Sequence, residues 1–267
     1  MLRGVRNWLT VMRCKGKRVI TVGDPTFPVL QHVGLSGLMV SFARQLSEPA
    51  NRAALAFRQA VDQAGIVGIE ESATSLVSVF FRIAPDRFDA VQDRVSDLLA
   101  TQNWFQTGLP FGRRLWQVPT VYGTDLAPQF EEAAAAAGLS PDAALRDLST
   151  TRVRVLTIGF APGQPYLGTL GQPWDIPRQT ALTPRVPPGA LVVALRQFVL
   201  FSAETPTGWR HVGQTAFRCF RPDAAQPFAL APGDEMLFEP VSPKDYVRIV
   251  AQDGSGNGGA TCNEIAA

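Results

Sequence analysis

Residues 34–42 (GLSGLMVSF) form a short apolar run, the pattern of a strand. Between Pro49 and Gly65, Leu55, Phe57, Ala60, Val61 and Ala64 recur near the helical period, and Ser47-Glu48-Pro49 supplies a helix start. Residues 76–81 (LVSVFF) are mostly β-branched or aromatic and predict a second strand. Phe88, Val91, Val95, Leu98 and Leu99 then fall at three- and four-residue steps, the stripe of an amphipathic helix. Strand, helix, strand, helix predicts a small α/β sandwich with helices on one sheet.

Residues 101–114 (TQNWFQTGLPFGRR) hold no period and predict a linker. A strand is expected at 115–122, helices at 128–137 and 141–148, and a strand at 153–158. Ser140 and Pro141 suit the N-cap and first turn of the second helix. Beyond Gly159, proline and glycine recur between short β-type runs at 190–195, 198–202, 216–220 and 235–238. Such runs predict a barrel-like all-β domain. Residues 253–259 (DGSGNGG) predict flexibility. The expected fold class is α+β. A basic extension spans 1–18, an α/β domain with its linker 19–114, a barrel domain with short helices at its start 115–245, and a flexible tail 246–267.

The 267 residues suit two domains, and 46% hydrophobic against 18% charged residues excludes a disordered chain. A net charge of +2 argues against a nucleic-acid binder held by phosphates. Basic residues gather in Arg3, Arg6, Arg13, Lys15, Lys17 and Arg18. They interrupt the apolar stretch that a secretory signal needs, leaving a transit peptide or, more plainly, a loosely ordered extension. No run of about 18 apolar residues predicts a membrane span. Cys14, Cys219 and Cys262 are far apart and form no CxxC pair, which suits a reducing cytoplasm. Only two histidines, His32 and His211, argue against a histidine-rich metal centre or a Ser-His-Asp triad, so no metal site is expected.

The most informative stretch is 159–168 (GFAPGQPYLG). In order around it come Val118-Pro119-Thr120-Val121-Tyr122-Gly123, Pro177-Arg178, Arg185-Val186-Pro187-Pro188-Gly189 and Glu204-Thr205-Pro206-Thr207-Gly208-Trp209. Val212-Gly213-Gln214-Thr215, Ala231-Pro232-Gly233-Asp234 and Phe238-Glu239-Pro240-Val241 follow. This ordered series resembles the family of allophanate hydrolase subunit 1 and the B-type subunit of 5-oxoprolinase (KipI-like, carboxyltransferase C/D-type) across roughly residues 34 to 243. The resemblance implies an N-terminal α/β domain, a C-terminal cyclophilin-like β-barrel, and a second subunit of related fold as partner. It also implies ATP, with or without Mg2+, used to open a small cyclic amide or urea derivative such as 5-oxoproline. The alternatives are a KipI-like regulatory module that inhibits a sensor histidine kinase, and a carboxyltransferase component that meets a biotin carrier.

On that resemblance, Gly163 and Tyr166 would shape a substrate pocket, although the Pro-Gly pair equally suits a tight turn. Arg178 and Arg185 are suited to gripping a carboxylate or phosphate, or to a solvated surface. Gln197 and Glu204 are the catalytic candidates, the first orienting an amide and the second acting as general base. Either could instead satisfy backbone groups. Trp209 reads as core and His211 carries no assigned role. Departures from the family pattern include Gln164 for a phenylalanine, Thr183 and Gln214 for arginines, Leu195 for a glycine and Leu148 for a histidine. Phe198-Val199 stands for Thr-Gly and Phe201-Ser202 for Tyr-Pro. The prolines, Gly159, Trp209 and Gly213 are kept while polar positions change, the pattern of a diverged member.

Overall fold

The computed structural model describes residues 26–265, so the basic extension at 1–18 and Cys14 lie outside the described residues. The first lobe runs β1 (Val29–Val33), β2 (Gly37–Ser41), α1 (Glu48–Ala64), β3 (Ile69–Ser75), β4 (Ser78–Ile83) and α2 (Phe88–Leu99). Its sheet has the order β1-β2-β4-β3, with every pairing antiparallel. The expected strand–helix–strand–helix order is therefore incomplete, because each strand is half of a hairpin. β1 and β3 leave no clear sequence pattern because they are edge strands with mostly exposed residues, and β3 reads IEESATS. A strand wet on most of its surface carries no apolar alternation.

One face of this sheet holds Leu38, Val40, Val79, Phe81 and Ile83 against Phe57 and Val61 of α1 and Val91 and Val95 of α2. Ala50, Ala53 and Ala54 form the buried small-residue side of α1. Segment 101–114 is more than a linker, since Trp104 sits edge-on to Phe57 with ring centroids 5.0 Å apart. Its indole N–H donates to the Leu99 carbonyl at 2.9 Å.

The second lobe comprises β5 (Arg114–Tyr122), α3 (Phe130–Ala136), α4 (Pro141–Thr150), β6 (Val153–Ile158), β7 (Pro165–Gly168) and β8 (Thr183–Val186). It continues with β9 (Ala190–Ala194), β10 (Gln197–Leu200), β11 (Thr205–Thr207), β12 (Arg210–Thr215), β13 (Glu235–Pro240), α5 (Pro243–Gln252) and β14 (Thr261–Glu264). Seven strands in the order β12-β9-β10-β7-β6-β13-β5 close through a β12–β5 pairing, giving the cyclophilin-like barrel that the resemblance implies. All of these pairs are antiparallel except β13–β5, which is parallel. Closure removes the exposed edges that an open sheet would present.

Alternation along the strands sorts side chains to two faces. Leu191, Val193, Phe198 and Leu200 point into the barrel, where Phe130 of α3 and Leu148 of α4 join the core. Ala190, Val192, Val199 and Phe201 point outward and are covered by Val186 and Trp209 beside the two-stranded β8–β11 ribbon. The expected strand at 216–220 is instead irregular chain, with one bridge from Phe220 to Phe228.

Of the expected flexible tail at 246–267, the described residues 246–265 are structured. They carry most of α5, and β14 pairs antiparallel with β5 from Thr261–Gln117 to Glu264–Arg114. The glycine-rich loop between them is organised by Asp253. One of its oxygens accepts from the Ser255 N–H and hydroxyl and the Gly256 N–H, and the other accepts from the Gly258 N–H. Gly258 has φ 56°, and a Cβ there would lie 2.4 Å from backbone atoms of Ala216 and Phe217. Among the described residues no helix is long and apolar enough to cross a membrane.

The lobes meet where α1 and β3 face β6. The side-chain amide of Asn51 donates to the Leu76 carbonyl at 2.8 Å and to the Leu156 carbonyl at 3.2 Å, one in each lobe. The Thr157 hydroxyl donates to the Thr74 carbonyl at 2.8 Å.

Candidate functional site

The 159–168 stretch leaves β6 through a tight turn and returns as β7. The Gly159 N–H donates to the Gln164 carbonyl, and the Gln164 N–H to the Ala161 carbonyl. At the tip, Phe160 adopts φ 72° with 79% of its surface exposed. A non-glycine residue there costs about 1–2 kcal/mol, and such positions gather at functional sites.

Behind this turn, on the outer face of the barrel, lies a cavity of about 280 Å³. Tyr166, Val199, Phe201 and Trp209 supply its apolar surface, and Arg178, Gln164 and Gln179 its polar groups. The Tyr166 and Trp209 rings stand edge to face at 6.4 Å. Arg178 places its guanidinium over the indole and has no ion pair among the described residues. Gln164 is 1% exposed, and Oε1 of its amide is buried without a hydrogen-bond partner. Such an orphan costs about 1–3 kcal/mol until a donor reaches it. Trp209, expected as core, is both core and cavity wall.

The six residues singled out from sequence do not converge. Tyr166 and Arg178 share the cavity. Gly163 lies deeper, at φ 71°, where a Cβ would come within 2.8 Å of the Cys219 carbonyl, so it serves a close backbone approach. Arg185 and Glu204 pair with each other across the ribbon, both largely exposed. Arg185 also lines a wider cavity of about 510 Å³ with His211, Gln214, Arg218, Asp125 and Tyr246. Gln197 opens β10 opposite Gly168 and packs against it. Neither Gln197 nor Glu204 lines either cavity. Gln164, which is not among the six, lines the first cavity and leaves its buried amide oxygen unpartnered. Its signal is the substitution itself, a polar residue where the family pattern has an apolar one.

His211 is buried at 5% exposure. Burial holds its imidazole below the usual pKa of 6.5, with the Gly213 backbone and the Gln214 side chain acting in the opposite sense. Burial also pushes the Cys219 thiol up to about 12. Among the described residues no group of three or more His, Cys, Asp or Glu could hold a metal ion.

Residues 28–230 match the family described as carboxyltransferase domain, subdomain C and D. The B-type subunit of 5-oxoprolinase from Bacillus subtilis (strain 168) is 29% identical over 230 residues, covering 81% of this chain and 94% of the relative. Its counterpart from Escherichia coli O157:H7 is 33% identical over 141 residues, covering 52% of this chain and 65% of the relative. Among solved structures, TTHA0988 superposes with TM-score 0.66 at 28% identity, over 78% of this chain and 40% of that longer one. Kluyveromyces lactis urea carboxylase shares the fold at TM-score 0.68 and 15% identity, with 88% of this chain and 24% of that one covered. The matched span takes in the α/β lobe and most of the closed barrel, and on it this chain belongs to the carboxyltransferase C and D subdomain family, together with the B-type 5-oxoprolinase subunits.

Proposed function

We propose that this chain is one subunit of a two-component, ATP-dependent amidohydrolase of the 5-oxoprolinase type, holding a small lactam acid for a reaction completed by a second subunit. The observation that carries this reading is the convergence of the Arg178 cation, the Tyr166–Trp209 wall and the unpartnered Gln164 amide on one small cavity. A five-membered lactam acid matches each of these groups. Its carboxylate meets Arg178 through charge-assisted hydrogen bonds, its ring lies on the aromatic wall, and its N–H is the donor that Gln164 Oε1 lacks.

The lining contains no carboxylate and no imidazole, so no general base stands beside a ligand there. Glu204, the base expected from sequence, is engaged by Arg185 outside it. In this reading the chain binds and orients, and the proton-transfer groups come from the partner.

ATP fits these residues poorly. No glycine-rich loop leads into a helix N-terminus in the manner of a phosphate cradle, and no carboxylate cluster offers a magnesium site among the described residues. In this reading ATP use falls to the second subunit.

The test is co-purification with the second subunit, then ATP-dependent 5-oxoproline opening by each protein alone and by the mixture. Turnover in the mixture alone, lost in Arg178→Ala and Gln164→Leu, is expected. A stable complex that binds no lactam acid would refute the reading and favour the kinase-inhibitor alternative.

A further inference from the structure

A second feature, separate from the lactam reading, lies in the crevice between the lobes. Its volume is about 260 Å³, and Leu46, Glu48 and Asn51 of the first lobe face Arg152, Arg154, Leu156 and Glu235 of the barrel across it. Gly168 and Thr169 complete the lining.

The charges around it do not balance. Glu48 is shared by Arg52 at 3.3 Å and Arg154 at 3.5 Å. Glu235 is shared by Arg113 and Arg152, each at 2.6 Å. In the lining Arg152 and Arg154 balance Glu48 and Glu235, and Arg52 and Arg113, which pair with the same carboxylates from outside it, bring the network to an excess of two positive charges. The first turn of α1 also lines the crevice through Glu48 and Asn51, so the positive end of the helix dipole adds to that excess.

Arg154 is the least satisfied member. Its Nη2 reaches Glu48 and its Nη1 reaches Asn51 Oδ1 only at 3.5 Å, the outer limit of a hydrogen bond. Its Nε is buried with no partner. Burial is the main influence on the group and lowers its pKa, with nearby Arg113 adding to that and Glu48 and Glu235 opposing it. A structural interlobe ion pair would be expected to close to shorter contacts, as Arg113 and Arg152 do on Glu235. The contacts of Arg154 are instead the longest in this network, both at 3.5 Å.

The geometry points to a binding site in this crevice for a small oxyanion, of phosphate or carboxylate chemistry, gripped by Arg154 and Arg152 between the two lobes. Donors on two guanidinium groups suit the several oxygens of such an ion. Because its residues come from both lobes, the bound ion would fasten α1 to β6. The site stands whether or not the complex opens a lactam.

The experiment is calorimetric titration and thermal melting of the full chain with sodium phosphate, and separately with sodium acetate, against chloride at matched ionic strength. Saturable binding of phosphate or acetate beyond chloride is expected, and which one binds identifies the chemistry. Arg154→Gln should weaken it about ten- to a hundred-fold, as for one lost charge-assisted contact. Arg152→Gln should weaken it less. Glu48→Gln should tighten it, because a competing carboxylate is removed. That opposite sign separates an anion site from a plain salt-bridge network, which Glu48→Gln would only loosen. Equal responses to phosphate, acetate and chloride, or an unchanged response in both Arg152→Gln and Glu48→Gln, would overturn the proposal even if Arg154→Gln failed to fold.

Discussion

Arg178 sets its guanidinium over Trp209, its Cζ 5.3 Å from the ring centroid, so an exposed cation rests on an aromatic ring. Such a contact contributes about 0.5–1 kcal/mol at an exposed site. Arg178→Ala should therefore leave the urea midpoint nearly unchanged. Its effect should fall on ligand affinity, lowering 5-oxoproline binding about ten- to a hundred-fold as one charged contact is lost. Arg178→Lys keeps the charge without the planar fork, and should recover only part of that affinity. Calorimetry beside denaturant unfolding separates the two effects.

Asp234 is the buried hub of the 231–234 turn. Its carboxylate accepts from the Arg114 N–H at 3.0 Å, the Ala231 N–H at 2.9 Å and the Arg114 guanidinium. Its side chain is only 3% exposed. Asp234→Ala leaves Arg114 and two backbone donors without their partner, and should cost about 3–5 kcal/mol. Urea unfolding should show this loss without any change in slope.

His211 gives the barrel an acid-sensitive point. Unfolded, the imidazole titrates near 6.5, and in the fold burial holds it lower. Between those two values the unfolded chain binds more protons than the native one. Stability from the neutral ring is therefore full above the unfolded value and is lost as pH falls through that window. His211→Asn should flatten this part of the pH profile, measured as unfolding midpoints on either side of about pH 6.5.

Cys219 is buried and its thiol is pushed up to about 12, while Cys262 sits exposed on β14. The thiolate is the reactive form, and burial denies it both charge and access. Alkylation of the native protein near neutral pH should leave Cys219 unlabelled while Cys262 reacts slowly. Labelling of Cys219 should appear only with denaturant, as a peptide map by mass spectrometry would record.

Elements that bury one periodic face were legible in the sequence. α1, α2, β5, β6 and α4 fall close to where the apolar spacing puts them. β8 and β11 were not, because TPRV and TPT are short and proline-broken, and their pairing lies on top of the barrel. β12 was hidden because a register shift between His211 and Gly213 breaks its alternation. Tyr166 and Arg178 were legible as motif residues, whereas the pairing of Glu204 with Arg185 depends on how β8 and β11 meet. The interlobe arginines were unreadable for a different reason. Glu48 and Arg154 are 106 positions apart, and only the docking of α1 against β6 brings them together.

The register of β14 on β5 sets Glu264 directly beside Arg114. The barrel is thus entered and left at neighbouring points, about one strand spacing apart. In engineering terms both ends of the barrel open at one doorway, where the first lobe is attached. A short bridge across those two positions should allow a circularly permuted barrel to close, because no strand would need to move.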